Sequence, residues 1–96
     1  MSGDLKRILY ADDEPDIRAV AQMSLETVGR FTVLVCASGA EAVAKAEGFA
    51  PDLILLDVMM PEMDGPATLA TLRKIPALVN TPVCFFTAKR SEEHTS

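Results

Sequence analysis

The chain has 96 residues, 49% hydrophobic and 24% charged, which is one small domain able to bury a modest core. Its formal charge of −5 argues against a nucleic-acid surface, because phosphate contacts need clustered Lys and Arg, and suits a site that gathers carboxylates around a cation. The opening Met1-Ser2-Gly3-Asp4 lacks the apolar heart of a signal peptide, and no apolar run approaches the roughly 18 residues of a membrane span, so a cytoplasmic location is expected.

In chain order, residues 6–11 (Lys-Arg-Ile-Leu-Tyr-Ala) read as a first strand that runs straight into Asp12-Asp13-Glu14. Pro15 suits the first turn of a helix, Asp13 is its expected N-cap, and acids there favour the helix dipole. Capping accounts for Asp13 and Glu14 but not for two adjacent Asp residues at a buried strand end. Ile17, Val20, Ala21, Leu25 and Val28 recur at helical spacing over 15–28, with Gly29 as a left-handed terminator. Residues 31–37 read as the second strand. Ser38 and Glu41 form a capping box, opening a helix over 39–47 whose Ala40, Ala42, Ala44 and Ala46, with Val43, suit close packing on a sheet; Gly48 should end it.

Pro51-Asp52 leads into Leu53-Ile54-Leu55-Leu56-Asp57. A continuous apolar run without alternation fits a strand covered on both faces, as in a parallel sheet, and Asp57 then stands at its carboxyl end. Met60-Pro61 and Asp64-Gly65 turn the chain. A third helix follows Gly65-Pro66 to about residue 75, with Arg73 and Lys74 in its last turn and Pro76 as the stop. Val83-Cys84-Phe85-Phe86 reads as the fourth strand, ending at Thr87. Cys36 and Cys84 lie in different strands with no Cys-X-X-Cys, so buried, reduced thiols are expected.

Strands alternating with helices imply a parallel sheet with right-handed crossovers and helices on both faces. Asp12, Asp13, Asp57 and Thr87 then converge from three strands at the carboxyl edge, where such sheets bind ligands. Three carboxylates in one crevice either stay partly protonated or hold a cation, and carboxylate oxygens with a backbone carbonyl and waters are what Mg²⁺ takes. A phosphate beside that cation would be neutralised, the Thr87 hydroxyl could donate to it, and the Asp57 carboxylate could attack a phosphoryl donor to form an acyl phosphate. The plainer alternative for Asp57 is a strand-end acid that caps the next loop.

The Asp12-Asp13 pair, the Leu55-Leu56-Asp57-Val58-Met59-Met60-Pro61 run with Asp64-Gly65, and Thr87-Ala88 together resemble the receiver domain of two-component response regulators, over residues 8–89. The resemblance implies a flavodoxin-like α/β fold with strand order 2-1-3-4-5. It makes Asp57 the phosphoacceptor, Asp12, Asp13, Asp57 and the backbone carbonyl of Met59 the Mg²⁺ ligands, and Thr87 the switch hydroxyl. A sensor histidine kinase would be the donor, an output domain or target protein the recipient of the signal, and turnover would be limited to self-phosphorylation and autodephosphorylation.

The resemblance stops short of the whole family fold. β1-α1-β2-α2-β3-α3-β4 is expected, and α4-β5-α5 is expected to be missing, with it the Lys at the end of the fifth strand. Lys89 follows Thr87 too closely to replace that Lys, so phosphorylation of the 96-residue chain is expected to be impaired. Residues 90–96 are what AGATCGGAAGAGCACACGTCT encodes, a string that resembles a sequencing-library adapter, so a partial receiver over 1–89 and a non-native tail over 90–96 are expected. Without that tail eight basic and twelve acidic residues remain, and the one histidine, His94, is gone. Met1 standing close before the first strand points to an N-terminal receiver. The fourth strand would present an apolar edge through which copies could self-associate.

Two other functions compete. A degenerate receiver would act as an unphosphorylated protein-binding module. An aspartate-nucleophile phosphatase of the haloacid-dehalogenase type wants a second Asp two residues after the nucleophile, where this chain has Met59. Dinucleotide binding is disfavoured because acids, not glycines, follow the first strand.

Overall fold

The computed structural model describes residues 5–87. Its elements are β1 (Arg7–Ala11), α1 (Pro15–Thr27), β2 (Thr32–Cys36), α2 (Gly39–Phe49), β3 (Leu53–Asp57), α3 (Gly65–Leu72), a 3₁₀ turn (Pro76–Leu78) and β4 (Val83–Phe86). The strands form one parallel sheet in the order β2-β1-β3-β4, the flavodoxin-like arrangement expected for this part of the fold. The tail over 90–96 and any element after Thr87 fall outside the described residues.

Strand periodicity sorts the side chains. Leu9 and Ala11 align with Leu34 and Cys36 on one side and with Ile54 and Leu56 on the other. These residues share a face with Ala42 and Ala46 of α2, Leu72 of α3 and Leu78, and all but the partly buried Leu34 are essentially closed to solvent. α2 and α3 pack on each other over that face, while α1 lies against β1 and β2 on the opposite side. Truncating Ile54 or Leu56 to Ala would cost about 2–5 kcal/mol, the usual range for a fully buried aliphatic.

Several local expectations are corrected. The N-cap of α1 is Glu14, not Asp13, and makes no side-chain cap bond; the carboxylate of Asp12 takes that duty by accepting from the Glu14 amide at 3.0 Å. Among the α1 apolar positions, Ile17, Ala21 and Leu25 are half-buried, but Val20 and Val28 are exposed, because the sheet covers a narrow stripe of the helix. Gly29 is not the left-handed residue; Arg30 is, at φ 60°. Gly29 is needed for room, since a Cβ there would lie 2.5 Å from the Phe31 ring.

The capping box at α2 forms in part. Ser38 Oγ accepts from the Glu41 amide at 3.0 Å, but the Glu41 carboxylate reaches back to the amide of Ala37, at 2.7 Å. Of its four alanines only Ala42 and Ala46 are buried; Ala40 and Ala44 point to solvent because a spacing of two changes face on a helix. Gly48 does not stop α2. The helix runs to Phe49 and ends at Ala50, which adopts φ 55° because Pro51 disfavours a right-handed helical residue before it. α3 closes at Leu72, three residues before the expected end. Arg73 then ties the following turn, its Nη1 donating to the carbonyls of Leu78, Val79 and Thr81 at 2.7–3.1 Å. Cys36 is buried as expected, but Cys84 is exposed on the edge strand, and no disulfide joins them.

Candidate functional site

The site begins where β1 leaves the sheet. The amide of Asp12 extends the parallel ladder by donating to the Cys36 carbonyl at 3.0 Å. Asp12 is completely buried. Its Oδ1 accepts from the Glu14 amide, and its Oδ2 accepts from the Tyr10 hydroxyl at 3.3 Å. Arg18 of α1 donates to the Asp12 backbone carbonyl at 2.8 Å, pinning the turn between strand and helix.

Asp57 closes β3 and is likewise completely buried. Its Oδ1 accepts from the Met59 amide at 3.1 Å. The loop after it is closely held. The Val58 amide donates to the Phe86 carbonyl of β4 at 2.8 Å, and the Gly65 amide returns to the Val58 carbonyl at 3.0 Å. Asp64 N-caps α3, accepting from the Ala67 amide at 2.9 Å, while the buried Thr68 hydroxyl donates to the Asp64 carbonyl at 2.7 Å. Gly65 is required by close approach: a Cβ there would sit 2.8 Å from the Asp57 carbonyl oxygen and 3.0 Å from the Phe85 ring. Glu62 accepts a left-handed φ of 68° at the tip of this loop.

Asp12, Asp13 and Asp57 each bring a carboxylate oxygen within 4.8 Å of the other two, as the sequence indicated. Two of the three acids are fully buried and Asp13 is half-exposed, so the cluster opens to solvent on one side. An open groove of about 570 Å³ lies on that side, lined by Asp13, Val58, Met59, Met60, Pro61 and Asp64. Thr87 directly follows β4, next to the register position where Phe86 pairs with Asp57, and is exposed. Met59 is mostly exposed, with its amide turned to Asp57.

Three hard oxygen donors this close together fit a small divalent cation such as Mg²⁺ better than any soft or nitrogen-liganded metal. The same residues without a cation would leave concentrated like charge in a partly desolvated pocket. Elsewhere the carboxylates serve structure. The Ala37 amide, helped by Lys45, holds the Glu41 carboxyl below its ordinary range. The amides of Arg7 and Lys6 do the same for Asp52. Burial, with Glu41 adding to it, pushes the Cys36 thiol up to about 11, which keeps it an unreactive core residue.

Tyr10, Arg18 and Thr68 were not singled out from the sequence, and Asp64 was read as part of the turn but not as the cap of α3. The first was accessible, because residues two apart on a strand share a face and Tyr10 stands two before Asp12.

A parallel sheet in this order with an acid triad at its carboxyl edge is the arrangement of a receiver module. The response regulator receiver domain model matches residues 8–96, and the chain belongs to that family. It is 41% identical over 87 residues to the alkaline phosphatase synthesis transcriptional regulatory protein PhoP of Bacillus subtilis, covering 91% of this chain and 35% of that protein. It is 38% identical to the response regulator Rre1 of Synechocystis, covering 85% of this chain and 36% of that protein. The chain thus spans about a third of the length of these curated relatives. Among solved structures, the chemotaxis protein CheY4 of Vibrio cholerae superimposes with a TM-score of 0.83 at 32% identity, over 94% of this chain and 74% of that one. The N-terminal domain of a receiver protein from Methanoculleus marisnigri gives 0.79 at 36% identity, over 94% of this chain and 72% of that one.

Proposed function

We propose that the chain is a phosphoacceptor switch of a two-component system, taking a phosphoryl group onto Asp57 from a sensor histidine kinase with Mg²⁺ in the acid cluster. The observation that carries this reading is the convergence of Asp12, Asp13 and the buried Asp57 within 4.8 Å, beside a groove that Asp13 lines. Asp12, Asp13, Asp57 and the backbone carbonyl of Met59 would hold the cation, which when bound offsets the charge of the incoming phosphoryl group. A carboxylate oxygen of Asp57 attacks phosphorus, the phosphorus–nitrogen bond of the donor breaks, and the imidazole leaves with its electron pair. The Asp57 backbone is held by the ladder to β4, and its Oδ1 by the Met59 amide, so the nucleophile is already positioned. Thr87, one residue beyond the strand that pairs with β3, would supply the switch hydroxyl, a role that its position at the carboxyl edge supports.

In this role the domain turns over no external substrate beyond its own phosphorylation and autodephosphorylation. Its partners are the kinase and an output domain or target protein, in the cytoplasm. Among the described residues no helix is long and apolar enough to cross a membrane.

The test is intact mass after incubation with a small-molecule phosphodonor, with and without Mg²⁺, for wild type and Asp57→Ala. A slow, Mg²⁺-dependent gain of one phosphoryl group that Asp57→Ala abolishes is expected. A gain that survives Asp57→Ala or needs no cation overturns the proposal, and no gain at all favours the unphosphorylated binding module.

A further inference from the structure

We infer that Tyr10 is a positioning residue for the acid cluster, coupling the cation-facing carboxylate of Asp12 to the end of β4. This rests on the reading of Asp12, Asp13 and Asp57 as a divalent-cation site. Three observations support it. Tyr10 is buried at 6% exposure in the middle of the parallel sheet, where an aliphatic side chain would satisfy packing without a hydroxyl to accommodate. Its hydroxyl donates to Oδ2 of the fully buried Asp12. Its ring stacks on Phe86, with centroids 5.0 Å apart and planes 17° from parallel.

Phe86 is the residue that pairs with Asp57 and precedes Thr87. The two rings therefore bridge across β3, linking the strand that ends at the proposed switch hydroxyl to a proposed cation ligand. At 3.3 Å the hydroxyl contact is long for an O–H···O bond, so what it supplies is orientation of the carboxylate. Groups that orient metal ligands in this way usually matter for affinity. Because Asp12 Oδ1 already accepts from the Glu14 amide, the Tyr10 hydroxyl sets the second oxygen and so the tilt of the whole carboxylate. A shift of Phe86 with Thr87 would move the Tyr10 ring and change that tilt.

Tyr10 is also the one tyrosine of a chain without tryptophan, so tyrosine emission reports on the surroundings of this side chain alone. The experiment titrates the full chain at low micromolar concentration with Mg²⁺, following tyrosine emission in wild type and Asp12→Asn, and calorimetry in wild type, Tyr10→Phe and Phe86→Leu. Wild-type emission is expected to change with the same half-saturation as the calorimetric signal, and Asp12→Asn is expected to lose that change. Tyr10→Phe, which keeps the stacked ring, is expected to bind Mg²⁺ about tenfold more weakly, the lower end for a lost orienting partner. Phe86→Leu is expected to weaken it less, since the hydroxyl stays.

Calorimetric binding by wild type with unchanged affinity in Tyr10→Phe overturns the positioning role and leaves the cation site standing. Silent tyrosine emission during calorimetric binding does the same. No Mg²⁺ binding by wild type overturns the cation site and the positioning role together. A Tyr10→Phe chain that melts lower but binds Mg²⁺ like wild type shows a purely structural hydroxyl and also overturns the proposal.

Discussion

At the scale of single residues, the proposed cation site sets the acid cluster against folded stability. Two buried carboxylates and a half-buried one, with oxygens within 4.8 Å, repel one another when no cation is bound. Asp57→Asn removes one of those charges while keeping the shape of the side chain and its acceptor toward the Met59 amide. In metal-free buffer this variant is therefore expected to be more stable than wild type by on the order of 1 kcal/mol, a fraction of the pairwise repulsion at such distances. Saturating Mg²⁺ should reverse the order, because binding at a hundred times the dissociation constant adds about 2.7 kcal/mol to the chain that keeps the site. Thermal melts of both proteins with chelator and with Mg²⁺ check this. A less stable Asp57→Asn in chelator would show that the three carboxylates are not strained against one another.

At the scale of elements, helix ends and strand entries carry most of the departures from what the sequence suggested. Ala50 holds a left-handed conformation that costs an L-residue about 1–2 kcal/mol, because α2 runs on past Gly48 until Pro51 stops it. Glycine takes that conformation without the clash, at an entropic cost of about 0.5–1 kcal/mol. Ala50→Gly is accordingly expected to stabilise the chain by about 0.5 kcal/mol, read from denaturant unfolding with an unchanged m-value. The entry to β3 is clamped by Asp52, whose Oδ2 accepts from the amides of Lys6 and Arg7 at 3.0 and 2.9 Å. Those amides hold its carboxyl below the ordinary 3.8. A lowered acid pKa contributes stability that is present above the ordinary value and is lost as pH falls through the folded one. Melting temperature should therefore decline as pH drops below about 4, and Asp52→Asn should flatten that decline. An identical acid limb in the variant would mean the clamp is worth nothing.

The strands were legible because each is a short apolar run ending at punctuation: Asp12, Ser38, Asp57 and Thr87 fall just past or at their ends. Helix ends were not legible to the same degree. Gly29 and Gly48 looked like terminators, yet the left-handed positions fell to Arg30 and Ala50, where tertiary packing and a following proline set the backbone. The candidate cation ligands were legible from three adjacent-to-strand acids, because strand order alone brings them to one edge. What orients them was legible only in part: the spacing of two before Asp12 gives Tyr10, but the Arg18 contact with the Asp12 carbonyl is created only once helix and strand are assembled.

At the scale of the molecule, β4 is the edge of the sheet among the described residues, and its four residues carry no charge. Cys84 is exposed on it and Phe85 is 42% exposed. An uncharged apolar edge offers unpaired backbone groups to another chain. The 96-residue chain is expected to self-associate at tens of micromolar, and Cys84→Lys is expected to shift it toward monomer in sedimentation. A monomeric wild type with a cooperative melt would contradict that expectation. Sheet, loop and acid cluster nonetheless support one proposed chemical consequence, phosphorylation of a single carboxylate. The most direct measurement is borohydride reduction of the chain after treatment with phosphodonor and Mg²⁺, followed by peptide mapping. An acyl phosphate on Asp57 would be reduced to homoserine at position 57, and that is the expected result. Homoserine at position 12 or 13, or phosphate retained on a hydroxyl side chain, would contradict Asp57 as the phosphoacceptor.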